Sequence, residues 1–152
     1  MTPKKILLVG PRNSGKTAVA HSIEEVNKPI RKKAHIVYGK KTIDTPSTYL
    51  ESPWMRQHII SLQQNAYMAC FLFPLAEQKK SYPPGFTHVF RIPVVALVTY
   101  TNDELINEAV QQEVLKKLIY VGQFEKIIFL NIENQDELKQ IQHYLLRKEV
   151  GK

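Results

Sequence analysis

The stretch Gly10-Pro11-Arg12-Asn13-Ser14-Gly15-Lys16-Thr17 satisfies the pattern G-x-x-x-x-G-K-[ST] at every position. Its surroundings are the ones the pattern needs. Lys5-Ile6-Leu7-Leu8-Val9, just before it, is a short apolar run that reads as a buried strand. Residues 17–26, just after it, carry Val19, Ile23 and Val26 at helical spacing. In such a strand–loop–helix unit, glycines let successive backbone N–H groups turn inward around an anion. The helix aims its positive dipole end at the same point. Gly10, Pro11, Arg12, Asn13, Ser14, Gly15, Lys16, Thr17 and Ala18 are therefore the expected phosphate-binding residues. Lys16 is expected to reach the β- and γ-phosphates of ATP or GTP, and the Thr17 hydroxyl to ligate Mg2+.

At 152 residues the chain can bury a full hydrophobic core, and residues 1–152 read as one nucleotide-binding domain. No apolar run approaches the length of a membrane span. A strand begins within a few residues of Met1, which leaves no room for a signal peptide. Cys70 stands alone in an apolar run, where a buried structural thiol is expected. These features point to a cytoplasmic protein. The formal net charge is +7, placed unevenly: residues 1–41 hold 10 Lys/Arg against 2 Glu, the remainder 11 Lys/Arg against 12 Asp/Glu. Residues 28–41 contain Lys28, Arg31, Lys32, Lys33, Lys40 and Lys41 with no acid. This stretch would draw an anionic nucleotide or second substrate, would suit nucleic acid or an anionic membrane, or is simply a solvated loop. Neither a membrane nor nucleic acid is the partner expected. His21, His35, His58, His88 and His143 show no metal-ligand spacing.

Beyond the loop, strand-like and helix-like segments alternate, which predicts an α/β fold with a mostly parallel six-stranded sheet and helices on both faces. Strands are expected at 35–38, 42–44, 67–73, 94–99 and 126–131. Helices are expected from Ser52-Pro53 to about residue 64, over 103–120 with Ile106, Val110, Val114 and Leu118 four apart, and over 135–148. Tyr49 and Trp54 could cover a substrate, but as lone aromatics they read rather as core or edge packing. Ligands of open α/β sheets bind at the carboxyl ends of strands. That directs attention to residues 10–17, 44–47, the segment after Phe73, and 99–103.

Asp44-Thr45-Pro46 ends a short strand as the D-x-x-G element of small GTPases does. Taken with the longer run from Ile43 through Thr48-Tyr49-Leu50-Glu51-Ser52-Pro53, with Tyr82-Pro83-Pro84-Gly85-Phe86 and with Val95-Ala96-Leu97-Val98-Thr99, it makes the chain resemble the EutP/PduV family. The resemblance implies a Ras-like P-loop fold in a protein of ethanolamine and propanediol utilisation, associated with a bacterial microcompartment and its shell or enzyme partners. It also implies a GTPase-like site, or an acetate kinase activity using ATP and Mg2+. On this reading Lys16, Thr17 and Asp44 are catalytic, Asp44 holding Mg2+ through water opposite Thr17. Arg12 would stabilise charge on the transferred group. The region of Lys32 and Lys33 would attract a small carboxylate such as acetate.

Several positions depart from GTPase patterns. Ser47 replaces the glycine of D-x-x-G, and Thr48 stands where a water-orienting Gln or Glu is expected. Lys33 aligns with the threonine that would cover Mg2+. Guanine recognition needs [NT]-K-x-D after the fifth strand, and this chain has Thr99-Tyr100-Thr101-Asn102. Thr99 and Asn102 remain the expected base-side residues, with Asp103 one position late. Thr101 and Glu104 are better read as a capping box opening the next helix. Asn131-Ile132-Glu133-Asn134 lacks a recognisable base-reading S-A-[KL] element.

Overall fold

The computed structural model describes residues 4–25, 36–76 and 81–150, with side chains through residue 147. Val26, the expected strand start at His35, and Lys28, Arg31, Lys32 and Lys33 lie outside them. Six strands form one sheet: β1 (Lys5–Val9), β2 (Val37–Tyr38), β3 (Thr42–Asp44), β4 (Ala66–Pro74), β5 (Val94–Tyr100) and β6 (Lys126–Asn131). Their order is β2-β3-β1-β4-β5-β6. All neighbours are parallel except the short edge pair of β2 and β3. The sheet is therefore the mostly parallel one expected.

The central strands are buried along nearly their whole length, as continuous apolar runs covered on both faces must be. Alternate side chains leave the sheet on opposite sides. Ile6, Leu8, Cys70, Leu72, Val95 and Leu97 pack beneath α1 (Lys16–Glu24) and α5 (Gln135–Val150). Leu7, Val9, Ala69 and Phe71 face α2 (Ser47–Glu51), α3 (Arg56–Leu62) and the segment leading into β5. Ala96 and Val98 meet α4 (Glu108–Val121). The helix face of the sheet on this second side is interrupted. Among the described residues, only a single 3-10 turn, Phe86–Val89, lies between β4 and β5. An aromatic cluster fills the space: the Phe71 ring lies 5.0 Å from Tyr82, 5.5 Å from Phe86 and 5.3 Å from Phe90.

Two helices differ from expectation. The one predicted from Ser52-Pro53 is broken into the 3-10 turn Pro53–Met55, α3 and a second 3-10 turn, and it is preceded by α2, which the sequence reading missed. Pro53 cannot donate to the preceding turn, so the chain restarts there. The helix predicted over 103–120 begins at Glu108, where the Asn107 side chain caps the Val110 N–H at 2.9 Å. Thr101 and Glu104 do make the expected contact, Thr101 N–H donating to Glu104 Oε1 at 2.9 Å, but it closes an isolated turn. Leu105, 73% exposed, lies before the helix and off the core.

Candidate phosphate-binding site

The loop of residues 10–17 is shaped by two left-handed residues, Asn13 (φ 61°) and Gly15 (φ 84°). Gly15 also packs closely: a Cβ there would lie 3.0 Å from Ile132 Cγ2. At Gly10 the constraint is space alone, since a Cβ would come within 2.6 Å of Ser14 Oγ. Ser14 is 2% exposed and turned under the loop, its hydroxyl without a hydrogen-bond partner among the described residues. Its carbonyl accepts a hydrogen bond of 2.7 Å from Thr99 Oγ1. Thr99 thus braces the loop from behind through its hydroxyl.

The loop feeds directly into α1. No side chain caps that helix, and no acid occupies its first turn. Its leading N–H groups and its dipole therefore point at the loop without a built-in anion, the arrangement that favours a phosphate. Lys16 Nζ lies 2.8 Å from Asp44 Oδ1, the two side chains being 11% and 4% exposed. Asp44 is the last residue of β3 and pairs in register with Leu8 of β1, so the sheet itself brings it beside the loop. The next residue is also pinned to β1: Thr45 Oγ1 donates to the Leu8 carbonyl at 2.8 Å. Thr17, half-buried, sits in the first turn of α1. A hydroxyl and a carboxylate are the hard oxygen donors Mg2+ takes, and an uncapped helix start suits a phosphate chain. The residues present fit both groups.

Arg12 is exposed and met by a carboxylate that sequence reasoning did not single out. Glu51 Oε2 accepts from the Arg12 N–H at 3.3 Å, and Glu51 Oε1 lies 3.9 Å from the Arg12 guanidinium. Glu51 belongs to the stretch quoted for the family resemblance, but no spacing rule connects it to a residue 39 positions earlier.

The opposite side of the loop is a small polar network. The Asn102 amide oxygen accepts from Asn131 Nδ2 at 2.8 Å, and the Asn102 N–H donates to Glu133 Oε1 at 2.7 Å. Glu133 N–H donates to Asn131 Oδ1 at 2.9 Å, and Asn131 N–H to Glu137 Oε1 at 3.0 Å. Burial, and then the Glu137 charge, push the Tyr100 hydroxyl pKa upward. Asn131 and Glu133 lie in the segment read as lacking a base-reading element. They hold Asn102 in place.

Elsewhere, Tyr82 runs its hydroxyl to the carbonyls of Val9 (3.0 Å) and Leu72 (2.8 Å), tying the segment after β4 to the start of the loop. Trp54 is 72% exposed, contrary to the core or edge packing expected of it. Cys70 is buried, and burial raises its thiol pKa far above the usual range. Lys40 and Lys41, described from the basic stretch, donate their backbone N–H groups to Glu24. No helix among the described residues is long and apolar enough to cross a membrane.

Comparison with known proteins adds to this geometry. The family model PduV-EutP, described as ethanolamine utilisation - propanediol utilisation, matches residues 3–147. The propanediol utilization protein PduV of Citrobacter freundii is 30% identical over 96 residues. That match spans 63% of this chain and 64% of the relative, less than two thirds of its length. Among solved structures, a probable GTP-binding protein, engB, superposes with a TM-score of 0.66 at 18% identity, covering 97% of this chain and 99% of that one. The Arl6 BBS3 small GTPase from Trypanosoma brucei, with the nucleotide analogue GppNp bound, gives 0.62 at 12% identity, with 98% of each chain covered. A bacterial selenocysteine-specific elongation factor gives 0.67 at 12% identity, over all of this chain (100%) and 29% of that one. At these identities the likeness is one of fold, that of the small GTPases.

Proposed function

The chain belongs to the EutP/PduV family of ethanolamine and propanediol utilisation proteins, and we propose that it binds a purine nucleoside triphosphate with Mg2+ and catalyses phosphoryl transfer. The observation that carries this reading is the meeting of Lys16 and Asp44, 2.8 Å apart, beside an uncapped helix start and a loop held in left-handed turns. Lys16 clamps the β- and γ-phosphates and gives up its contact with Asp44 to do so. The N–H groups at the start of α1 hold the phosphate chain in line, and Arg12 offsets charge at its outer end. Bound Mg2+, held by Thr17 and through water by Asp44, would supply further neutralisation of the phosphate oxygens.

A small carboxylate such as acetate is the proposed acceptor. It is already ionised and needs no general base, in keeping with Thr48 at the position of a water-orienting residue. The base side favours tolerance of ATP over strict selection of GTP. Asn102 stands in place of a guanine-reading carboxylate, and its oxygen already accepts from Asn131. A second reading, a nucleotide-binding switch or scaffold with little turnover, is favoured by Ser47 in place of the D-x-x-G glycine and by the degenerate base-side loop at Thr99-Tyr100-Thr101-Asn102.

Calorimetry with ATP and GTP, each with and without Mg2+, tests binding, and acetyl phosphate formation from ATP and acetate tests transfer. Lys16→Ala is expected to abolish binding while the protein still unfolds cooperatively. Asp44→Asn should weaken Mg2+-dependent turnover more than diphosphate binding. Tight binding with no product in single turnover would leave the switch reading. No heat with either triphosphate would remove both.

A further inference from the structure

We propose that Glu51 is a latch that the terminal phosphate displaces, so that the loop and α2 together distinguish a triphosphate from a diphosphate. The inference rests on the nucleotide site proposed above and concerns how that site is read out. The strand order places β3 on one side of β1 and β5 and β6 on the other. Asp44 ends β3, whereas Tyr100 and Asn131, paired with each other, end β5 and β6. The metal and the outer phosphates therefore belong to the β3 side, and the base to the other. Glu51 lies on the β3 side, at the end of α2, only seven residues after Asp44.

There its carboxylate makes the contacts an outer phosphate would seek: a loop N–H (Arg12, 3.3 Å) and the Arg12 guanidinium (3.9 Å). Two anions cannot share one such pair without strong repulsion, so a terminal phosphate reaching Arg12 must displace Glu51. A diphosphate, seated deeper against Lys16 and the start of α1, leaves the contact in place. Release frees the end of α2. The chain from there is short and continuous: Ser52 N–H bonds the Thr48 carbonyl at 3.1 Å, and Trp54 follows in the next turn. Trp54 is the single tryptophan of the sequence and is 72% exposed, so its emission reports on α2 without a label.

The test measures the affinity of Mg-ATP, Mg-GTP and the matching diphosphates for the full chain, with Trp54 emission followed in parallel. Two variants are used: Glu51→Gln, which keeps size but not charge, and Glu51→Asp, which keeps charge but falls short of the loop. Both should bind triphosphate about three- to fivefold more tightly than the parent protein, as loss of a partly exposed competing ion pair implies. Diphosphate affinity should stay unchanged. Parent emission should shift with triphosphate and not with diphosphate, and the nucleotide-free variants should already show the shifted value. An equal change for both nucleotides, no change, an effect in Gln but not Asp, or a parent emission blind to the terminal phosphate would each overturn the latch alone. Absence of all nucleotide binding by the parent protein would overturn the site and the latch together.

Discussion

Individual side chains carry most of the chemistry, and two carboxylates show how differently a chain can use them. Asp44 is nearly enclosed and held against Lys16, so removing either partner leaves a poorly solvated charge behind. Glu24, at the end of α1, accepts from Thr42 Oγ1 at 2.6 Å and from the N–H groups of Thr42 (2.8 Å), Lys41 (2.9 Å) and Lys40 (3.1 Å). Partial burial by itself would raise its pKa. The hydrogen bonds from the Thr42 hydroxyl and the three amides outweigh that and bring it below its ordinary value of 4.5. The native state thus binds this proton less readily than the unfolded chain. The contribution to stability is complete above pH 4.5 and is lost as pH falls through the depressed native value. Glu24→Gln should cost about 1–3 kcal/mol at pH 7 in urea unfolding and should flatten the acid limb of stability against pH. A variant with an unaltered acid limb would show that this carboxylate does not anchor the turn before β3.

Elements bring these groups together, and their boundaries follow local chemistry only in part. The strands were legible because a parallel sheet covered on its faces needs unbroken apolar runs, and 94–98 and 127–130 are such runs. The helix over 103–120 was read too long because its apolar spacing extends back to Ile106, whereas the Asn107 cap decides where the backbone turns helical. The α2 segment was missed since five residues are too few for a period to show. Between β4 and β5 the Tyr82 hydroxyl meets the carbonyls of Val9 and Leu72. Tyr82→Phe keeps the ring cluster and loses the contacts to Val9 and Leu72, so denaturant unfolding should show a loss of about 1 kcal/mol. Gly15→Ala meets both a left-handed backbone and Ile132 at 3.0 Å. It should destabilise by about 1–2 kcal/mol in the same assay and also weaken triphosphate binding. Equal stability and binding in Gly15→Ala would mean that the loop does not need its left-handed turn.

For the molecule as a whole, a ligand that binds only the folded state must raise its stability. At a concentration 100 times its dissociation constant, Mg2+ triphosphate should add about 2.7 kcal/mol, seen as a rise in thermal midpoint that Lys16→Ala lacks. An equal rise in both proteins would place the nucleotide elsewhere. The phosphate loop, the parallel sheet and the family were readable from residue order, since each depends on neighbours within a few positions: a glycine pattern, apolar runs, a short motif. Glu51 against Arg12, Thr99 behind Ser14, and Asn131 on Asn102 join residues 39, 85 and 29 positions apart. No local rule spans such separations. Only the strand order, which sets β3 and β5 on opposite sides of the loop, brings those side chains within reach.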